Sequence, residues 1–153
     1  MKKELCFIID GQELYLEKVL VDYMEVPIFF LCKAVEKYYI ALCIDMDEYN
    51  YVVVQMTMQD TYDLLHGKIP MRDVILGRKE YWLVCSGDEP KDDKVEKQEI
   101  GRLQVELLPK KGACFQILTE DMKKYVQAFD EYYFLNDNFA TEKLCTLSEK
   151  AMT

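Results

Sequence analysis

The stretch Val26-Pro27-Ile28-Phe29-Phe30-Leu31-Cys32-Lys33-Ala34-Val35-Glu36-Lys37-Tyr38-Tyr39-Ile40-Ala41-Leu42-Cys43-Ile44-Asp45-Met46-Asp47-Glu48-Tyr49-Asn50-Tyr51-Val52-Val53-Val54-Gln55-Met56 decides the fold. It holds three apolar runs separated by two short charged turns, Glu36-Lys37 and Asp45-Met46-Asp47-Glu48. The runs are rich in β-branched and aromatic residues and spaced as a hairpin would space them, so an antiparallel meander is expected over 28–35, 38–44 and 51–56. Glu36-Lys37 lacks the glycine or asparagine that two-residue hairpin loops favour, which points to a longer loop there. Neighbours in a strand face opposite ways, so Tyr38 and Tyr39 demand that both faces of this sheet be covered. Tyr81 and Trp82 make the same demand.

Upstream, Leu5 to Ile9 reads as a short buried strand closed by the turn dipeptide Asp10-Gly11. Residues 14–24 fit either a helical stripe or a strand face, and Val19-Leu20-Val21 with Pro27 beyond tilts the reading to strand. Downstream, Thr57 is a good N-cap with Asp60 three positions on. Met58, Thr61, Tyr62 and Leu65 share one face of the resulting helix, and Gly67 suits its C-terminal stop. Pro70 suits the first position of another short helical turn ended by Gly77, after which Tyr81-Trp82-Leu83-Val84-Cys85 returns to strand.

Residues 87–99 open with Gly87-Asp88-Glu89-Pro90-Lys91-Asp92-Asp93-Lys94, which has no large apolar side chain, and read as a solvated, mobile loop. Alternation of Leu103, Val105 and Leu107 suggests a strand over 101–108, paired across Pro109-Lys110-Lys111-Gly112 with 113–118. The clearest helix is the last. Thr119 caps it, Glu120 and Asp121 complement its dipole, and Met122, Tyr125, Val126, Phe129, Tyr132 and Tyr133 recur on one face. Asn136-Asp137-Asn138 ends it, leaving 139–153 as a short helix or tail. The expectation is one α+β domain over 1–153. Its parts are a sheet core over 1–86, a charged loop over 87–99, and a C-terminal hairpin and helix over 100–153.

With half of its 153 residues apolar and 31% charged, the chain has a globular composition. One domain of this size buries about 70% of its unfolded surface. Twenty-eight acids against 19 bases give a net charge of −9, with arginine only at 72, 78 and 102. That balance disfavours direct nucleic-acid binding, which relies on clustered Lys and Arg. Six cysteines at 6, 32, 43, 85, 114 and 145 form no C-x-x-C pair, and no apolar run nears the ~18 residues needed to span a bilayer. The opening residues carry no secretory pattern. A cytoplasmic protein with free thiols, away from the membrane, is expected.

No constellation for catalysis stands out. His66 is the one histidine, which excludes chemistry needing two imidazoles, and its place beside Gly67 suits it to helix-end carbonyls. No G-x-S-x-G or phosphate-binding glycine motif occurs. Asp45-Met46-Asp47-Glu48-Tyr49-Asn50 begins like a calcium loop, then places Tyr49 at the fifth position, Asn50 where Gly is required and Met56 at the twelfth. No metal or cofactor is expected.

The order of 21–30, then Tyr39-Ile40-Ala41, then Leu64-Leu65-His66-Gly67-Lys68-Ile69-Pro70-Met71-Arg72-Asp73-Val74 resembles a family of small bacterial proteins with no established activity. Its pattern is an extended segment with a proline, a strand hairpin and an L-x-x-G-x-I-x-x-R-D element, covering roughly 14–85 here. The resemblance implies an α+β fold and a bacterial or phage origin, and it marks Arg72 and Asp73 as candidates for a fixed role.

The functional expectation is a non-enzymatic interaction module, a regulator, immunity-type protein or inhibitor, binding another and basic protein through an acidic and aromatic surface. Arg72, Asp73, Asp45, Asp47, Glu48, Tyr39 and Trp82 are its candidate contacts. The competing expectation is a small enzyme or ligand-binding domain with a pocket between the sheet and the C-terminal helix.

Overall fold

The structure is a computed structural model, and it describes residues 3–136. Seven antiparallel strands follow one another across a single sheet in chain order: β1 (Leu5–Ile9), β2 (Gln12–Tyr23), β3 (Val26–Ala34), β4 (Lys37–Asp45), β5 (Asn50–Met56), β6 (Glu80–Cys85) and β7 (Lys94–Glu99). Helices α1 (Met58–Leu65) and α2 (Met71–Leu76) lie between β5 and β6, and α3 (Glu120–Asn136) closes the described chain. The expected α+β meander is present. Because β1 and β2 precede it, the helix expected after the third meander strand follows the fifth strand of the whole sheet.

Strand alternation divides the apolar side chains between two cores. On one face Leu31 opposes Ile40, which opposes Val54, and Leu42 opposes Val52. Leu64 and Leu65 of α1, Val74 and Ile75 of α2, and Phe129 and Tyr133 of α3 close over them. On the other face Phe30 opposes Ala41, which opposes Val53, which opposes Trp82. Here no helix is needed. The sheet curls so that Phe7 and Ile9 of β1 and Leu14 of β2 pack with Phe30, Tyr39 and Val84, and Phe7 meets Tyr51 edge-on at 5.3 Å between centroids. The curl follows from strand twist accentuated by bulges, of which β1 and β2 carry several.

Helix ends follow the local chemistry. Thr57 and Asp60 form a reciprocal capping box at the start of α1. At its end Gly67 takes φ +66°, and Lys68 N–H and Gly67 N–H donate to the carbonyls of Asp63 and Leu64. A side chain at Gly67 would also press on the Phe115 carbonyl, 3.1 Å from an added Cβ. Pro70 sits one position earlier than expected, as the N-cap of α2.

Three sequence expectations are corrected. First, the meander turn is two residues long and rests on Val35-Glu36, since Ala34 pairs Lys37; Val35 accepts φ 55°, a strained value for a β-branched residue. Second, residues 94–99 are a strand, not part of a mobile loop. Their backbone pairs with all of β6, and an edge strand of mostly charged and polar residues needs few apolar ones. Gln98 accepts from the Tyr81 hydroxyl at 2.6 Å, and the Lys97 ammonium lies over the Trp82 ring at 5.6 Å. Third, 100–118 forms no hairpin. Two short 3-10 turns, Ile100–Arg102 and Val105–Leu107, lead into irregular chain that packs Leu103, Leu108 and Phe115 onto the helix-side core. The turn expected after Asn136, the segment 139–153 and Cys145 lie outside the described residues.

Candidate functional site

The residues singled out from sequence do not converge. Arg72 is an internal latch: its Nε donates to the Pro109 carbonyl at 2.8 Å and an Nη to that of Val105 at 3.1 Å, holding 105–109 against α2. Asp73 is exposed in the first turn of α2. Asp45 folds its carboxylate back onto its own turn, accepting from the amides of Asp47 (3.0 Å) and Glu48 (3.1 Å), whose side chains are exposed. Tyr39 is 3% exposed and donates to Gln12 Oε1 at 3.0 Å. Trp82 tilts against Tyr39 at 6.1 Å, and its indole N–H is buried without a partner among the described residues. Tyr38, Tyr39 and Tyr81 therefore serve the two cores, and Trp82 is half-buried beside them. His66 also departs from its expected role. Its Nε2 meets both carboxylate oxygens of Asp130 (2.8 and 2.9 Å), tying α1 to α3, while its ring packs on Tyr62.

The latch makes a prediction. Arg72→Ala is expected to cost about 1.5–3 kcal/mol, because hydrogen bonds from a charged donor are lost. It should also speed amide exchange across 103–109. Arg72→Lys should not rescue, since a single ammonium cannot reproduce two divergent donors. Unchanged exchange over 103–109 in Arg72→Ala would show that the segment is held by other contacts.

The surface that does stand out runs along β2. This strand has 12 residues and β1 has five, and their pairing stops at the bond from Leu16 N–H to the Glu4 carbonyl. Past that point the outer edge of β2 has no backbone partner among the described residues, and a groove of about 670 Å³ opens there. Five consecutive residues, Leu16, Glu17, Lys18, Val19 and Leu20, line it. Leu16 and Val19 pack on the core inside the curl and Leu20 on the helix-side core, so the lining comes from both faces of β2 and the groove lies along its edge. Lys3 and Glu4 close one end, and Thr119, Asp121 and Met122 at the start of α3 form the opposite wall. A second groove of about 430 Å³ shares Leu20, Asp22, Thr119 and Met122 and continues to Met71, Phe115 and Leu118.

Bulges at Glu17 and Leu20 shape the near wall by re-aiming side chains. Glu17 and Lys18 are both turned toward α3. Glu17 accepts from the Tyr125 hydroxyl at 3.0 Å and pairs with Lys3, and Lys18 pairs with Asp121. Burial, then the facing Glu17 carboxylate, holds the Tyr125 phenol far above its ordinary pKa, whereas the hydrogen bond from Lys18 holds Asp121 below the usual carboxylate value. Next to them the Lys33 ammonium lies over the rings of Tyr38 and Tyr132, at 5.2 and 5.3 Å. Glu17, Lys18, Asp121 and Tyr125 are thus engaged with one another, whereas Glu4 and Asp22 line the groove without an ion-pair partner among the described residues.

At its far end the groove becomes apolar and open. Val21 and Leu118 line it, Ile117 precedes Leu118, and Tyr23 and Met24 carry the chain on to the hairpin tip. Five of the twelve large apolar residues exposed in the described chain are these, with Leu118 81% and Met24 80% exposed. Met24 and Glu25 both take positive φ, which folds the tip tightly without a glycine. Sequence reasoning passed over this site. The signal was present in Val21, Tyr23 and Met24 and in Ile117-Leu118 just before a cap, but pattern alone did not tell which of these side chains lie outside.

Among the described residues no group of three or more His, Cys, Asp or Glu side chains is arranged to hold a metal ion, and no helix is long and apolar enough to cross a membrane. No protein family, curated protein or solved structure matches this chain, so the resemblance over 14–85 adds nothing to the site.

Proposed function

We propose that this chain is a non-enzymatic protein-binding module that engages its partner through the β2 groove and the apolar tip beside it. The observation that carries the reading is the groove whose far end is lined by the exposed Val21 and Leu118, with the exposed Tyr23 and Met24 following Val21 along the same hairpin. An apolar groove mouth bordered by exposed side chains is characteristic of interaction surfaces, while single exposed apolar residues are ordinary. The small-enzyme reading loses support because Arg72 and His66 are committed to internal contacts and Glu17, Lys18, Asp121 and Tyr125 at the groove pair among themselves. A regulator, immunity-type protein or inhibitor of bacterial or phage origin is the role such a module serves. The five described cysteines are all free thiols, which agrees with work in a reducing cytoplasm.

The test pairs capture with mapping. The protein and a Tyr23→Asp/Leu118→Asp variant, altered only at exposed positions, serve as baits in lysate of the native cell. The expected result is a partner retained by the first bait and lost from the second, with amide protection on binding confined to 17–24 and 114–122. A partner held equally by both baits, or protection elsewhere, would overturn the assignment of this surface.

A further inference from the structure

Resting on that reading, the geometry points to strand addition: the partner contributes an extended segment, basic on one side and apolar on the other, that lies along the free edge of β2 where β1 stops. Three observations combine. The outer edge of β2 beyond Leu16 carries backbone N–H and C=O groups with no partner among the described residues. Such an edge pairs readily with another extended chain. The groove is also bounded as a strand slot would be, with the N-terminal side of β1 at one end and the start of α3 as a facing wall. Finally, Leu20 and Met122 line both grooves and Phe115 lines the second, apolar side chains against which alternate residues of an added strand would pack.

Charge selects the occupant. Four carboxylates and two lysines line the first groove. Lys3 and Lys18 are spent on Glu17 and Asp121, and Lys124 adds its field to Asp121. Glu4 and Asp22 remain, with Glu25 at the tip and Glu120 beside Asp121, all without an ion-pair partner among the described residues. A second copy of this chain would bring the same carboxylates and a net charge of −9 to the contact, so a cationic segment is favoured over self-pairing. The bulges at Glu17 and Leu20 interrupt the ladder, so the added strand makes a few backbone bonds and relies on its side chains for the rest.

The probes are three synthetic peptides of about ten residues, the length of an ordinary strand. One alternates Lys with Val around a central Phe, one carries Glu for every Lys, and one keeps the first sequence with alternate backbone nitrogens methylated. The lysine peptide is expected to bind and to protect amides of 17–23. Its affinity should fall as salt rises from about 50 to about 500 mM. The glutamate peptide should bind at least about tenfold more weakly, and so should the methylated one, since two or three backbone hydrogen bonds are worth about that factor. Asp22→Lys should weaken the lysine peptide while leaving the fold intact, as Asp22 is exposed.

Equal binding of methylated and unmethylated peptides would overturn strand addition. Equal binding of the lysine and glutamate peptides would overturn the charge assignment. A concentration-dependent dimer protected over 17–23 would show that a second copy is the occupant and overturn the foreign one. Should the peptides fail while Tyr23→Asp/Leu118→Asp still abolishes capture, the interaction surface stands and this account of its ligand falls.

Discussion

Tyr39→Ala is expected to destabilise the fold by about 3–5 kcal/mol, as much as Tyr38→Ala one position earlier. The two side chains leave the same strand in opposite directions, and both are buried, at 3% and 4% exposure. Tyr38 meets Phe129 of α3 edge-on at 5.6 Å, so its loss opens a cavity under the helices. Tyr39 faces the interior of the curled sheet, between Gln12 and Trp82, and its loss opens a cavity of similar size where no helix lies. Urea denaturation of both variants checks this, and for a chain of this length the midpoint temperatures should fall by about 6–20 °C. Tyr39→Phe keeps the ring and should cost only about 1 kcal/mol for the bond to Gln12. If the second face were a surface kept for a partner, Tyr39→Ala would stay within about 0.5 kcal/mol of the parent.

Raising the pH from 10 to 12 is expected to unfold the protein progressively through its buried phenols. Burial is the leading cause that raises the pKa of Tyr38, Tyr51 and Tyr125, in Tyr51 to about 12. Tyr39 and Tyr81 shift the same way for the same reason. Below pH 10 these phenols are protonated in both states, so their contribution is fully present. Above it the unfolded chain releases protons that the folded chain retains. The unfolded state then binds fewer protons, and stability falls with pH by at most about 1.4 kcal/mol per pH unit for each phenol. The fall is smaller for Tyr51, whose ring is partly wetted, and ends for it near pH 12. Tyr125→Phe should make the decline shallower by up to one proton, read as the difference between its urea midpoints and those of the parent from pH 8 to 12. Parallel curves would mean that Tyr125 titrates like an exposed phenol.

Much of the fold was legible because it rests on local chemistry. The hairpin at Asp10-Gly11, the meander over 28–56, the Thr57–Asp60 cap and the amphipathic face of α3 each follow from residues near in sequence. Edge strand β7 was hidden because its pairing is carried by backbone, and Lys94–Glu99 has the composition of a loop. The turn at Val35 was hidden because strain there is tolerated once β3 and β4 are in register. The candidate site was less legible still. Arg72 and His66 stand out by type and proved to be struts, since type says nothing of the partner a side chain finds 33 to 64 positions away.

By itself, then, the sequence determined that this chain makes an antiparallel meander with helices on one face, because period-2 alternation, turn residues and caps act over a few positions. Tertiary structure alone decided what covers the second face, where β1 stops along β2, and which of many similar apolar side chains is left outside. Those outcomes depend on curl, bulges and relative strand length, quantities summed over the whole sheet. No short stretch encodes them, and the groove along β2 exists only because they came out as they did.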